Sequence, residues 1–597
     1  MIKHQDKKRK QDLGIFYTPY EVVEFVFEIL NIWKIKQVAR WENKEGKQKY
    51  PSVIDPAVGE GGFLKVALEK KFTKPEWIFG LDIDENAVRR WKEINLLKEF
   101  GGVDEDLEAH FFHQNGLEKV QWEQHKHKYK YKLKQIDIEN QQFDAIVGNP
   151  PYGGLGLGQS KLTDELVERL SEFEILPKSV KQVLNNANMQ TDLFNSDKSF
   201  SLSYEVKQKI KAFPIEILFL ERFIQLAKPG GWIAVIIPDG ILANSNAEYV
   251  RGFISKRTKV EAIVSLPRNT FKDAGTNAKT SILFLRKLKE SEKPEREYNI
   301  FLSSIKEINL KNFNDILNIY KNFYNGEFEM DKNKLIQITK DQNGKEAVMV
   351  RVDKTLREMM EEKPSSRWNV DYWHPKYDGI LGIIRKWPTI LLSNYREQII
   401  SGYRSGGVEF EKSGYPYLQV RNILETGIDL FNVDYISNLS PAKQDNKKVK
   451  KGDILLNRSG EGSVGRLAIS LSDVEAYVGG HVYRFSVNNI SPIYITVFLK
   501  TLFGKNQIHR FESGVSGKTE IDLEEILNIE IPIINNITKH LEDKYIAMSD
   551  FHNKAMEAKK NGNDIEYKQN IDIAEKILKK LISETEAVIC GEKEIIG

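Results

Sequence analysis

A chain of 597 residues, 41% hydrophobic and 29% charged, is too long for one core and reads as two to four globular domains. Its single cysteine, Cys590, excludes an internal disulfide framework and a four-cysteine zinc site. The net charge is only +3, so affinity for a polyanion has to come from local patches.

The N-terminus places Lys3, Lys7, Lys8, Arg9 and Lys10 together with no apolar stretch behind them, which excludes a secretory signal there. No apolar run is long enough to span a bilayer, and a reducing, cytoplasmic setting is expected. A second basic cluster, His125 to Lys134, interleaves Lys with Tyr. Each cluster suits a phosphate backbone as well as a solvated segment.

From residue 14 to about 290, short apolar runs alternate with amphipathic helical stretches. Strands are expected at Ser52–Ile54, Trp77–Leu81, Phe143–Val147, Trp232–Ile237, Ala262–Leu266 and Thr280–Leu285, with helices at Glu21–Leu30, Phe63–Lys71 and Glu216–Leu226. This alternation predicts an α/β fold with a parallel sheet covered on both faces. Lys228-Pro229-Gly230-Gly231 is expected to stop a helix before the strand at Trp232.

The run Val53 to Leu64 is a strand, a glycine-rich turn (Asp55-Pro56-Ala57-Val58-Gly59-Glu60-Gly61-Gly62) and a helix start. Glycines there let backbone approach a ligand at the C-terminal end of a strand. The next strand ends in Asp82-Ile83-Asp84. Asp82 suits ribose hydroxyls or a helix cap, and Asp84 is the better cap because Glu85-Asn86-Ala87-Val88 follows it.

The segment Asp144-Ala145-Ile146-Val147-Gly148-Asn149-Pro150-Pro151-Tyr152 runs a buried strand into two prolines. They lock the backbone and remove two N–H donors. What remains presents acceptors: the Asn149 side-chain oxygen and the Pro150 carbonyl. An amine conjugated to an aromatic ring is a poor nucleophile, and two acceptors gripping its hydrogens favour the tetrahedral nitrogen of a transition state. Tyr152 offers a ring face to a flipped-out base.

Together these residues resemble the amino-methyltransferases, specifically the γ-type N6-adenine DNA methyltransferases of restriction-modification systems, over residues 12 to 290. The resemblance implies a Rossmann-like domain that binds S-adenosyl-L-methionine. Gly14 to Pro19 is similar to the family's first motif, which assigns Tyr17, Thr18 and Pro19 to the cofactor. It likewise assigns Asp55, Pro56, Ala57, Gly59, Gly61, Asp82, Ile83 and Asn149 to cofactor binding, and Asn149, Pro150, Pro151 and Tyr152 to catalysis. Leu266 to Phe271 is similar to a late motif, giving Phe271 a place against the target base beside Tyr152. The family's adenine-contacting position is usually Asp; here the matching residue is Asn115, whose oxygen can accept the same hydrogen.

From 300 to 365 the chain is rich in Lys, Asn and Glu and reads as peripheral. After Trp368 come short strands separated by Gly and Asp turns. Tyr417 to Ile423, Lys451 to Gly460, Val464 to Arg466, Gly479 to Arg484 and Ser513 to Lys518 form a series similar to a target recognition domain of type I specificity subunits. Such a domain needs Arg, Asn and Ser at base edges and Lys on phosphates. Arg421, Asn422, Arg458, Ser459, Lys518 and Thr519 are the candidates.

The expected organisation is a methyltransferase domain over 1–345, a connector over 346–375, a mixed α/β recognition domain over 376–535 and a helical spacer or dimerisation segment over 536–597. Double-stranded DNA is the expected partner. Pairing of two copies through the C-terminal helices is expected, and a separate endonuclease subunit stays open. No metal cluster and no membrane segment are expected. The alternative activity is methylation of an RNA or of a protein glutamine.

Overall fold

The computed structural model describes residues 18–36, 50–94, 100, 110–118, 143–152, 164–178, 180–182, 204–272, 276–327, 334–401, 410–436, 448–460, 462–512, 520–534 and 537–593. Both basic clusters, Tyr17, Lys518 and Thr519 lie outside these residues. The chain forms two compact units that divide between Asp371 and Tyr372.

In the first unit the strands are β1 (Val53–Asp55), β2 (Ile78–Asp82), β3 (Phe111–His113), β4 (Phe143–Gly148), β5 (Ala227–Pro238), β6 (Thr258–Ser265), β7 (Thr280–Lys287), β8 (Phe301–Ile305), β9 (Ile336–Lys340) and β10 (Glu346–Arg351). They join one sheet in the order β3-β2-β1-β4-β5-β7-β6-β8-β10-β9. Strands β3 to β5 run parallel, and β7 runs against both its neighbours. Every position of β1, β2 and β4 is buried, which matches their mostly apolar sequence; Asp144 inside β4 is met by Ser52 and Lys228.

The helices of this unit are α1 (Tyr20–Lys36), α2 (Gly62–Glu69), α3 (Glu85–Ile94), α4 (Asp164–Ser171), α5 (Tyr204–Lys211), α6 (Ile215–Leu226), α7 (Asp239–Ala243), α8 (Glu248–Arg257), α9 (Leu310–Tyr324) and α10 (Leu356–Glu361). Alternate strand residues Val53, Ala145, Val147, Ala234 and Ile236 meet α1, α2 and α9 in one core. The rings of Phe25 and Phe313 stack at 4.7 Å, and the buried Trp33 indole donates to the Tyr320 hydroxyl at 2.7 Å. On the other side α6 packs on β4 and β5.

Three expectations are corrected here. The Lys- and Asn-rich stretch after residue 300 is not peripheral, because β8, β9 and β10 extend the main sheet and bury Val348, Met349 and Val350. The predicted connector 346–375 therefore begins as a core strand. It continues into Ser366-Arg367-Trp368, which docks on α7 and α8: Trp368 N donates to Leu242 O of α7 at 2.9 Å and Arg251 Nε of α8 donates to Ser366 Oγ at 2.9 Å. Lys228 to Gly231 does not separate helix from strand. It lies within β5 as a bulge, where the register jumps from Phe143 opposite Ala227 to Ala145 opposite Trp232.

The second unit holds β11 (Thr389–Leu391), β12 (Arg396–Ser401), β13 (Phe410–Glu411), β14 (Tyr415–Leu418), β15 (Asp434–Ile436), β16 (Ile454–Asn457), β17 (Leu467–Ile469), β18 (Tyr477–Val478), β19 (Val482–Val487) and β20 (Glu530–Pro532). Two four-stranded sheets form, β12-β19-β16-β17 and β13-β15-β14-β18, beside a β11-β20 pair. Its helices are α11 (Pro375–Ile384), α12 (Pro492–Lys500), α13 (Leu502–Phe511), α14 (Leu523–Leu527), α15 (Ile537–Lys560) and α16 (Asp564–Cys590). Helices α15 and α16 pair along their lengths. The buried His552 of α15 bonds Thr426 Oγ1 at 2.9 Å and Ile428 O at 3.2 Å, which fastens the hairpin to the sheet region. No helix among the described residues is long and apolar enough to cross a membrane.

Tyr320→Phe strands a buried indole N–H, so it should lower the stability of the first unit by about 1–3 kcal/mol. Denaturant unfolding followed by tryptophan fluorescence checks this, and an unchanged midpoint would count against the account.

Candidate active site

The strand order reverses between β1 and β4. In an open parallel sheet that reversal opens a crevice at the C-terminal strand ends. The segments that emerge there are Pro56–Gly61 after β1, Ile83–Asp84 after β2, Gln114–Glu118 after β3 and Asn149–Tyr152 after β4.

The turn after β1 is tightly determined. Gly59 and Gly61 take φ of 52° and 80°, the left-handed region glycine favours. Asp55 is buried and its Oδ1 accepts from Ala57 N at 3.0 Å. Asp82 accepts from Gly59 N at 2.7 Å through Oδ2 and from Asp84 N at 2.7 Å through Oδ1. It thus ties the glycine turn to the end of β2. Asp84 caps α3, accepting from Asn86 N at 3.1 Å. The Ile83 carbonyl bonds His113 Nε2 at 3.1 Å.

Burial raises both acids. It pushes Asp55 well above the usual carboxylate range, against the hydrogen bond from Ala57, and the Asp82 charge adds to the rise. It pushes Asp82 up to about 6, opposed by the amides of Asp84 and Gly59. Two carboxyls that burial keeps from ionising freely mark a site suited to donors and positive charge.

Asn149 follows directly. A Cβ on Gly148 would lie 2.5 Å from Asp55 Oδ1 and 3.2 Å from the Phe223 ring, so only glycine lets β4 reach this edge. Asn149 Nδ2 donates to Thr18 Oγ1 at 3.2 Å, while the Pro19 carbonyl accepts from Val22 N and Val23 N at the start of α1. Tyr152 and Phe271 are both 1% exposed and meet edge to face, with centroids 6.4 Å apart. Burial raises the Tyr152 hydroxyl, and a hydrogen bond with the Asn149 side chain opposes this. The predicted ring face is therefore covered in this conformation, and a base reaches it only if the pocket opens.

Asn115 is buried, and its Oδ1 accepts from Leu117 N at 3.1 Å, leaving one lone pair for a ligand. The next residue explains the loop's position. A Cβ on Gly116 would stand 1.8 Å from the Pro56 carbonyl oxygen, so the β1 and β3 loops pack backbone to backbone. Arg222 of α6, itself buried, donates to Gly116 O at 3.0 Å and Glu118 O at 3.1 Å. Sequence reasoning did not single out Gly116 or Arg222. The signal was a Glu221-Arg222 pair inside a largely apolar helix. Glu216 was also missed. It lies in the first turn of α6, on the face that carries Phe219 and Phe223, and burial raises its carboxyl. Its charge acts on Tyr152.

In the second unit the recognition candidates separate. Arg421 is half exposed and pairs with Asp434 at 2.8 Å. Arg458 pairs with Glu520 at 3.4 Å and lies over the Tyr483 ring. Asn422 is 1% exposed; its Nδ2 donates to Asp429 O and Asn432 O, and its Oδ1 accepts from Gln419 N. That bonding uses it inside the loop, a correction to its predicted place at a base edge. Ser459 is likewise buried and bonds His481. No group of acids, histidines or cysteines among the described residues could hold a metal ion.

Residues 76–271 match the Eco57I restriction-modification methylase family, and residues 404–567 match the type I restriction modification DNA specificity domain. The chain is similar to the type I restriction enzyme EcoEI methylase subunit of Escherichia coli, 23% identical over 290 residues that cover 47% of this chain and 44% of that protein. It is similar to the type II restriction enzyme and methyltransferase RM.Eco57I of Escherichia coli, 26% identical over 226 residues, 35% of this chain and 19% of that protein. The matches span less than half the length of either relative. Among solved structures, the type IIL restriction-modification enzyme MmeI in complex with DNA aligns with 99% of this chain and 78% of that one, at 12% identity and a TM-score of 0.48.

Two outcomes test this geometry. Gly116→Ala forces a Cβ into the Pro56 carbonyl and should destabilise the first unit by about 1–3 kcal/mol, read by chemical denaturation; a neutral substitution would show that the loops do not pack as described. Burial lifts Asp82 from its ordinary 3.8 to about 6, so the folded state binds its proton more tightly. That contribution is fully present below the unfolded value and is lost as pH rises through about 6, an effect of about 2–3 kcal/mol. Thermal unfolding without ligand should show Asp82→Asn gaining on the parent chain from about pH 4 to about pH 7. A difference that does not vary with pH would contradict the sign.

Proposed function

We propose that this chain, which joins a restriction-modification methylase region to a DNA specificity region, methylates the N6 amine of adenine at a specific site in duplex DNA. The observation that carries the reading is the placement of Asn149 to Tyr152 at the strand-order reversal, against the Asp55 turn. The matched DNA specificity region favours DNA over the alternative substrates, RNA and a protein glutamine.

The residues present fit S-adenosyl-L-methionine. Gly59 and Gly62 have open space where a Cβ would project, so a ligand can approach the turn closely. Asp82, held by two amides, has lone pairs left for ribose hydroxyls, and Asn115 has one for an adenine amine. The buried Asp55 favours a cationic ligand. Tyr17, Thr18, Pro19, Pro56, Ala57, Gly61 and Ile83 complete the binding set. When bound there, the cofactor supplies an electrophilic methyl group on a positively charged sulfur.

The chain's own residues do the rest. Asn149 Oδ1 and the Pro150 carbonyl accept the two hydrogens of the target amine and hold its nitrogen lone pair toward the cofactor. Pro150 and Pro151 keep those acceptors fixed. Tyr152 and Phe271 part to admit the flipped adenine and cover its faces. Closed, as in this structure, the same rings exclude water. Arg421 and Arg458 serve the DNA, with Lys518 and Thr519 assigned to it by sequence. Two copies pairing through α15 and α16 would read two half-sites, and a separate endonuclease subunit is a further partner. The setting proposed is the cytoplasm.

Purified chain given labelled cofactor and duplex DNA, RNA or protein should label DNA, and digestion should yield N6-methyladenine. Label in RNA or protein alone would overturn the reading. Asn149→Ala should slow methyl transfer at saturating cofactor by about 10²–10³-fold, as losing one fixed transition-state partner does. Single-turnover rates decide, and an unaltered rate removes Asn149 from the mechanism.

A further inference from the structure

Ser459 follows β16 and is buried, whereas His481, just before β19, is exposed. The two side chains meet, Ser459 Oγ to His481 Nδ1, at 2.6 Å. The loops that carry them are already laced by main-chain and amide bonds. Arg458 N donates to His481 O at 3.0 Å, Gly479 N to Leu418 O at 2.7 Å, Val482 N to Gly479 O at 2.9 Å and Asn457 Nδ2 to Val420 O at 3.1 Å. The serine–histidine bond adds little to that lacing. What it adds is a fixed direction for an exposed ring, which otherwise rotates freely at a loop.

We propose that His481, aimed by the buried Ser459, reads a base edge in the recognised DNA sequence. This rests on the reading of the chain as a DNA methyltransferase. In the proposed tautomer the buried Ser459 hydroxyl donates to His481 Nδ1, since among the described residues no other acceptor meets that hydroxyl. The ring hydrogen then stands on Nε2 and points outward as a donor. A donor in the major groove matches an acceptor-bearing edge: N7 or O6 of guanine, N7 of adenine or O4 of thymine. The ring has company suited to the backbone. Arg421, on the loop joined to Gly479 and Asn457, and Arg458, adjacent to Ser459, carry charges held by Asp434 and Glu520, and can turn to phosphates. His481 entered the sequence reading only within the series Gly479 to Arg484 and not among the candidate DNA contacts. Ser459 was expected to touch DNA itself; here it acts through the histidine as a positioning residue.

The test maps methylated sites in DNA from cells expressing the full parent chain, His481→Phe or Ser459→Ala, with duplex binding and thermal unfolding of each purified protein. His481→Phe should lose about 10- to 100-fold of the discrimination at one position of the sequence and keep the rest, the range expected for one base contact. Ser459→Ala should relax the same position by less. An unchanged recognised sequence in both variants overturns the proposal, and does so equally if their melting temperatures fall, since that makes the pair a loop staple. Uniform weakening over all sequences with a shallower salt dependence also overturns it, by making His481 a phosphate contact. A parent chain that methylates no DNA refutes the proposed function itself and takes this inference with it.

Discussion

At the end of β4 the backbone of Gly148 lies directly against the buried carboxyl of Asp55, with room for no side chain between them. Strands β1 and β4 are neighbours whose connections leave in opposite directions along the sheet. Their loops therefore diverge above a shared floor, and a crevice is unavoidable. Because the floor is a glycine on one side and a short acid on the other, the glycine turn and the Asn-Pro-Pro-Tyr segment start within one strand spacing of each other. The Gly116 contact is a second close approach, pressing the β3 loop main chain to main chain onto Pro56 after β1, with β2 between the two strands. Backbone-to-backbone packing of this kind is rigid, which suits groups that must not reorganise during a reaction.

The electrostatics of the crevice follow from the same packing. Asp55 and Asp82 sit where strands converge and water is excluded, so both carboxyls are raised. Each is held by main-chain amides, and none of those hydrogen bonds comes from a cation. Burial of this kind disfavours the charged form of each acid. Arg222, by contrast, is buried with its bonds directed at carbonyls of the β3 loop, so its charge serves to pin that loop.

The second unit uses a different economy. Its sheets are small and its strands short, and order comes from cross-loop bonds such as Asn422 to Asp429 and Asn432, Lys500 to Leu467 and Glu425, and His552 to Thr426 and Ile428. Loops held in this way keep their side chains in place, which the proposed reading of a DNA sequence would require, since a contact that can wander distinguishes poorly.

Sequence alone determined the parallel core and the two turns that leave it at β1 and β4. Buried parallel strands are mostly apolar, and a turn with left-handed backbone carries glycines, so Val53 to Gly62 and Asp144 to Tyr152 announce themselves locally. Only the tertiary structure decided which polar residues face inward. Asn422 and Ser459 have the chemistry of base readers, yet their loops fold so that neighbouring backbone and His481 take up their hydrogen bonds. The β8–β10 extension was illegible for a related reason. Ser303 and Ser304 are buried, while Ile336 and Ile338 are exposed on β9 at the sheet's edge, so local hydropathy runs opposite to location. The direction a side chain faces is set by partners distant in the chain, and that information exists only once the chain has folded.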